Sequence, residues 1–323
     1  MNKKFDVIAL GELLIDFTEN GTSGQGNPIF EANPGGAPCN VLAMLNKLGK
    51  KTSFLGVVGK DQFGTALRGA LEEQGIDTSH LYEDEEVHTT LAFVHTYPDG
   101  DRDFSFYRNP GADMMLRKEE VSLDKICASK IFHFGTLSFT HAGIRTASQY
   151  AIQCAKEAGA LISFDPNLRE PLWENLEDAR KAIEYGMECC DILKISDNEL
   201  TFMTGEKDYD KGAVLLQQKY QIPLVCVTLG KDGSRAYYKG LTIKAEPFLQ
   251  KNTIETTGAG DTFTGCMLNT VLDKGLDNLT GEDIRGMLRF ANAGAALITT
   301  KRGALRVMPE KEEIEALLEE QTE

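Results

Sequence analysis

The chain has 323 residues, 41% of them hydrophobic, and 34 basic against 49 acidic residues leave a net charge of −15. That supplies a sizeable core for one large α/β domain over 1–323. It excludes nucleic acid and anionic lipid as expected partners, because both need local positive potential. A small-molecule substrate is expected instead.

The first apolar run, Phe5 to Leu10, is near-continuous and ends at Gly11, as a strand buried on both faces of a parallel sheet would. Asp16 lies just beyond it, where ligands of open α/β sheets sit; it reads as a hydroxyl-binding acid or as an ordinary loop acid. Residues 18 to 34 are turn-rich and lead to Gly35-Gly36-Ala37-Pro38-Cys39-Asn40 ahead of a helix from Asn40 to Leu48, closed by Gly49. A strand over Ser53–Val58 and a helix over Thr65–Gln74 continue the βαβα rhythm. Residues 88 to 108 break it. His88–Tyr97 and Arg102–Tyr107, joined by Pro98-Asp99-Gly100-Asp101, alternate as an antiparallel hairpin that suits a lid. Arg108 follows, as a ligand cation or a solvated one.

Alternation resumes with a strand at Lys130–Phe134, a helix at Gly143–Glu157 and a strand at Ala160–Phe164, whose carboxyl end carries Asp165-Pro166-Asn167-Leu168-Arg169. The strand Asp191–Ile195 is followed by Ser196-Asp197-Asn198-Glu199. Glu199 there is either a first-turn helix acid or an acid oriented towards magnesium. After the strand Leu224–Val227, Thr228 to Gly233 forms a glycine-bounded loop able to meet a phosphate or an adenine edge. A helix over Ile284–Thr299 is rich in small residues, with Asn292 its polar exception, and Glu310–Glu320 is a solvated amphipathic helix.

Between them lies Glu255-Thr256-Thr257-Gly258-Ala259-Gly260-Asp261-Thr262-Phe263. Gly258 and Gly260, flanking Ala259, allow close backbone approach and convergent N–H groups. The apolar helix from Thr262 to Val271 offers unpaired N–H groups at its start. A carboxylate at an anion site makes sense if Asp261 takes a proton from an attacking hydroxyl; the plainer alternative is a turn with Asp261 as an N-cap.

Other chemistries are excluded. No Walker-type loop, dinucleotide fingerprint, zinc-protease spacing or nucleophile elbow occurs. The seven cysteines, scattered and without a C-x-x-C pair, read as reduced thiols. Acids at 6, 12 and 16 interrupt the N-terminal apolar run too early for a signal peptide, and no window spans a membrane; the expected location is the cytoplasm.

Taken together, the two glycine stretches and the strand-end motifs resemble the PfkB-type sugar kinases of the ribokinase-like superfamily, and among them fructokinases. Gly35-Gly36-Ala37-Pro38-x-Asn40 matches one family pattern and Thr256 to Asp261 the other, while 9–17, 106–114, 165–173 and 194–199 carry fructokinase character. The resemblance implies a three-layer α/β/α fold with a mostly parallel central sheet and a small β lid from about 12–34 and 88–108. It makes Asp261 the catalytic base and Gly258, Ala259 and Gly260 the anion hole. Asp16, Gly35, Gly36 and Asn40 would hold the sugar, with Arg108 and Arg169 as cations near substrate or phosphate. Asn167, Ser196 and Glu199 would organise Mg-ATP, Glu199 through water, and Thr228, Gly230, Gly233 and Asn292 would line the nucleotide. Backbone carbonyls of Glu255 and Thr257 would hold a monovalent cation such as K⁺. Glu255 in place of the usual Asp, Cys266 in place of Ala or Gly, Leu42 in place of a small residue and Ser196 in place of Asn are the departures.

The implied reaction is ATP-dependent phosphorylation of D-fructose to fructose 6-phosphate. A 2-keto-3-deoxygluconate kinase is the alternative, because an Arg108 and Arg169 pair would grip a carboxylate; a non-catalytic sugar-binding regulator is the alternative of a different class. An exposed lid has edges that a second subunit would cover, so a homodimer through the lid is a further expectation.

Overall fold

The computed structural model describes residues 3–96 and 102–320. In chain order the strands and helices are β1 (Phe5–Leu10), β2 (Leu14–Thr22), β3 (Pro28–Gly35), α1 (Ala37–Lys47), β4 (Thr52–Gly59), α2 (Gln62–Glu73), β5 (Asp77–Asp84), β6 (Leu91–Thr96), β7 (Arg102–Tyr107), α3 (Leu123–Ile126), β8 (Ser129–Phe134), α4 (Ala142–Glu157), β9 (Leu161–Phe164), α5 (Leu176–Cys189), β10 (Ile192–Ser196), α6 (Asp197–Thr204), α7 (Tyr209–Tyr220), β11 (Leu224–Thr228), β12 (Ser234–Tyr238), β13 (Leu241–Ala245), α8 (Ala259–Lys274), α9 (Gly281–Ile298) and α10 (Lys311–Glu320).

The large sheet has the order β13-β12-β11-β10-β9-β8-β1-β4-β5. It is parallel from β11 to β5, with β12 and β13 added antiparallel at one edge. Its central strands are buried on both faces because helices cover both. Val7 and Ala9 of β1 pack with α1, α2, α8 and α9 on one side, and Ile8 and Leu10 pack with α4, α5 and α7 on the other. Among the described residues no helix is long and apolar enough to cross a membrane.

β1 lies between β8 and β4, where the order of strands reverses, so the crevice at the carboxyl ends opens beside it. Glu12, Asp165 and Ser196 all leave parallel strands on that edge. α8 enters from the side. It approaches α1 so closely that a Cβ on Gly265 would lie 2.7 Å from the Cβ of Met44. Cys266 is buried at the contact with α9, where a Cβ on Gly294 would meet its sulfur at 3.0 Å.

A second sheet, ordered β3-β2-β6-β7, stands over the crevice. The turn-rich stretch 18–34 is thus a hairpin: β2 and β3 pair antiparallel from Leu14↔Gly35 to Thr22↔Pro28. Gly24 to Asn27 make its turn, and the polar flanks that looked like loop are solvent-facing strand positions. β6 and β7 form the expected second hairpin; its turn, Pro98 to Asp101, together with Tyr97, lies outside the described residues. Asp16 and Thr18 face the crevice with Val94 and Phe106, while Phe17 stacks on Phe93 at 4.8 Å on the other face.

Helix starts also differ from expectation. α1 begins at Ala37, with Pro38 in its first turn, where a missing N–H costs nothing. α8 begins at Ala259, with Gly258 as N-cap in the left-handed region at φ 76°, so Asp261 is a first-turn residue and not the cap.

Candidate active site

Below the small sheet is a cavity of about 370 Å³, a size that suits a sugar-sized ligand. Asp261 lies on its floor, buried, and its Oδ2 accepts from Asn40 Nδ2 at 2.8 Å. Burial pushes the Asp261 carboxyl above the usual carboxylate range, opposed by the Asn40 hydrogen bond and by Lys194 and Arg169. Asn40 Oδ1 is buried with no partner among the described residues. A buried acceptor left unpaired costs free energy, and a ligand hydroxyl would satisfy it.

Asp16, Gly36 and Asn40 line this one cavity, and Gly35 lies against Asp16. Asp16 lines the cavity from β2, and burial raises its carboxyl to about 7, with Arg169 pulling down and Glu255 and Asp261 pushing up. The glycines make room: a Cβ on Gly35 would lie 2.2 Å from Asp16 Oδ2, and one on Gly36, at φ 133°, 2.3 Å from the Glu12 carbonyl. Glu12, not among the expected site residues, also lines the cavity; it is buried, accepts from Ala37 N at 2.8 Å and is raised to about 7 by burial.

At the other end the cavity turns cationic. Arg169 lines it, exposed, after β9. Lys194, which sequence reasoning missed, lines it from β10, buried, with Nζ 3.0 Å from Asp165 Oδ2. A Cβ on Gly260 would come within 3.0 Å of that ammonium, so the charge sits against the first turn of α8. Burial would lower Lys194, but Asp165 and Glu199 outweigh it and hold the ammonium protonated. Asp165 is raised to about 6, mainly by burial. The one sequence signal was a Lys in the middle of the apolar strand ILKIS, where an unpaired ammonium would be expensive.

Gly258, Gly260 and Asp261 border the cavity, but Ala259 does not, and its N–H is taken by the Thr256 carbonyl at 3.2 Å. Of the three residues of the expected anion hole, Gly258 and Gly260 therefore reach the cavity and Ala259 does not. Thr257 and Glu255 border the cavity too; Glu255 Oε1 accepts from Gly303 N at 2.7 Å, bracing the loop against the 299–303 segment. Such a loop pair offers main-chain carbonyl oxygens, the donors a hard monovalent cation takes.

A second cavity of about 380 Å³ shares Asn167, Arg169 and Lys194 with the first and adds Ser196, Asn198 and Glu199. Glu199 completes a capping box on α6: Oε2 accepts from Ser196 N at 2.8 Å and Oγ at 2.7 Å, and Oε1 from Leu168 N at 2.8 Å. With both oxygens so held, Glu199 suits contact with a hydrated cation through water more than direct ligation.

Several expected residues lie elsewhere. Arg108 does not line the cavity. It is buried and spent on structure, with Nε 2.8 Å and Nη2 2.7 Å from Asp113 Oδ2 and further bonds to Thr140 Oγ1 and the Leu137 carbonyl. Asn292 donates its amide to the carbonyls of Ala245 at 3.3 Å and Glu246 at 3.0 Å. It holds the end of β13 against Gly233, where a Cβ would strike the Ala245 oxygen at 2.2 Å. Thr228, Gly230, Gly233 and Asn292 line neither cavity.

The sequence matches the model of the pfkB family carbohydrate kinase over residues 4–311. It is 41% identical to Fructokinase-2 of Solanum lycopersicum, covering 97% of this chain and 95% of that protein. Among solved structures, the Xylella fastidiosa fructokinase with bound ATP superposes with a TM-score of 0.89 at 31% identity, over 98% of this chain and 99% of that one. A double mutant of the Vibrio cholerae O395 fructokinase, in its fructose, ADP and potassium ion bound form, gives 0.87 at 29% identity, over 98% of this chain and 100% of that one. With Asn40 and Asp261 paired at the floor of a crevice of this shape, the chain belongs to the pfkB family of carbohydrate kinases.

Proposed function

We propose that this protein transfers the γ-phosphoryl group of ATP to D-fructose, giving ADP and fructose 6-phosphate. The observation that carries the reading is the polarity of one cavity: carboxylates and an orphaned amide oxygen at one end suit hydroxyl groups, and Lys194 and Arg169 at the other suit phosphate. The 41% identity to a fructokinase over nearly the whole length names the sugar.

Asp16 and Asn40 orient the sugar so that its primary hydroxyl meets Asp261, which accepts the proton as oxygen attacks phosphorus; general-base help of this kind contributes about 10²- to 10⁴-fold. The N–H groups around Gly258 and Gly260, at the positive end of α8, face the charge that develops on the transferring group. Lys194, fixed by Asp165, and Arg169 add positive charge there. Glu199 would hold Mg²⁺ through water, and the ion would supply further neutralisation of the phosphates. K⁺ beside the Glu255 and Thr257 carbonyls would support the anion-binding loop. The small sheet closes over the sugar and keeps water from competing as acceptor.

The sugar-acid alternative loses its argument, because Arg108 is locked to Asp113 and leaves Arg169 without its proposed partner. The whole chain acts as one kinase domain, with the small sheet as its lid. Its outer aromatic face, where Tyr107 is 66% exposed beside Phe93, is proposed to pair with a second copy. All seven cysteines are free, which suits the proposed cytoplasmic location.

Coupled measurement of ADP release with fructose, 2-keto-3-deoxygluconate, ribose and adenosine tests the reading. Fructose is expected to give the highest kcat/KM, and Asp261→Asn to lose at least about a hundredfold. Retention of more than about a tenth of the activity by Asp261→Asn would remove its assigned role.

A further inference from the structure

One short segment touches both halves of the site. Arg302 donates from its guanidinium to Asn20 Oδ1 on β2 at 2.7 Å. Gly303, left-handed at φ 76°, donates its N–H to Glu255 at 2.7 Å, and a Cβ on it would lie 3.1 Å from Asn33 Oδ1 on β3. The methyl group of Ala304 abuts the N-cap of α8, where a Cβ on Gly258 would be only 2.7 Å away. The segment is anchored beyond these contacts, by Lys301 N to the Ile298 carbonyl at 3.1 Å and by Arg306 to Glu73 of α2 at 2.9 Å.

Close-packed groups transmit displacement because they have no room to absorb it. Gly303 and Ala304 are buried, so a shift of β2 against the core that pulls on the surface Arg302–Asn20 bond would load this segment, and Ala304 would pass the load to Gly258. We propose that residues 302–304 form a strut between the sugar-covering sheet and the start of α8, with Arg302 as a positioning residue held by Asn20. Ordering of the small sheet over a sugar thereby sets the N-cap that faces the phosphoryl group. The inference rests on the sugar-kinase reading above and adds to it a route by which sugar at one end prepares the other.

Steady-state kinetics on Arg302→Ala, Asn20→Ala, the double variant and Arg302→Lys, each with its melting temperature, test the strut. Each alanine variant is expected to lower kcat with fructose about 5- to 10-fold, with KM for ATP unchanged. The double variant falls no further than the lower single, because both break one link. Arg302→Lys, which keeps a donor, recovers most of the loss. Losses that multiply in the double variant, or that follow the melting temperature, overturn the proposal. If the wild type phosphorylates fructose and all four variants match it, the strut alone fails. If the wild type phosphorylates no sugar, the kinase reading fails and the strut with it.

Discussion

Asn40 Nδ2 donates to Asp261 Oδ2 at 2.8 Å across 221 positions of sequence, joining the first turn of α1 to the first turn of α8. The bond favours the ionised form of Asp261 against the burial that opposes it. The proposed base works only when ionised, so removing the donor is expected to move the acid limb of the pH profile upward. In Asn40→Asp the neighbouring negative charge adds to that shift. The expected loss in kcat/KM at neutral pH is about 10- to 100-fold, the worth of one hydrogen bond to a charged group, with partial recovery as pH rises. A profile whose acid limb stays in place would show that Asn40 serves the sugar alone.

Lys194 and Asp165 form a buried ion pair at 3.0 Å. Breaking such a pair from one side leaves an uncompensated charge and costs about 3–5 kcal/mol. Lys194→Met is therefore expected to unfold at lower denaturant and to lose turnover, whereas Lys194→Met with Asp165→Asn recovers stability without recovering turnover. Urea midpoints beside kcat separate the two roles. Recovery of both together would make Lys194 purely structural.

The strands and helices that bound the crevice were legible in the sequence because their signals are local. FDVIAL ends at a glycine, and α2, the helix after β4, follows a clear apolar period. The residues alone read 18–34 as turn-rich, and only the resemblance placed a β lid there, because one face meets solvent and the other lines a polar cavity, so neither is apolar throughout. The roles of Arg108 and Lys194 were not legible for a different reason. Each is a cation one residue type cannot assign, and the partner that decides its role, Asp113 for one and Asp165 for the other, is fixed only by packing.

Arg108 offers a direct check of that distinction. Arg108→Ala strands Asp113, which also accepts from Thr90 Oγ1, and is expected to destabilise the protein by about 3–5 kcal/mol. Fructose KM of the folded variant is expected to stay near wild type. A large rise in KM at unchanged stability would return Arg108 to the sugar site.

Glu12 makes the opposite prediction for stability. Its carboxyl is raised from 4.5 to about 7, chiefly by burial, and its oxygen accepts from Ala37 N. A folded-state value above the unfolded one means that the folded state binds the proton more tightly. The favourable contribution is complete below about pH 4.5 and is lost as pH rises through 7. Above that range the protein carries a buried carboxylate faced by Asp113 as well as Arg108. Glu12→Gln keeps an acceptor for Ala37 N and removes the charge, so it is expected to stabilise at pH 8 by up to about 3 kcal/mol and to change little at pH 4. Melting temperatures of the two proteins across pH 4 to 8 should diverge progressively. Parallel curves would mean that Glu12 ionises in the folded protein as easily as in the unfolded chain, and that the crevice floor is wetter than its geometry implies.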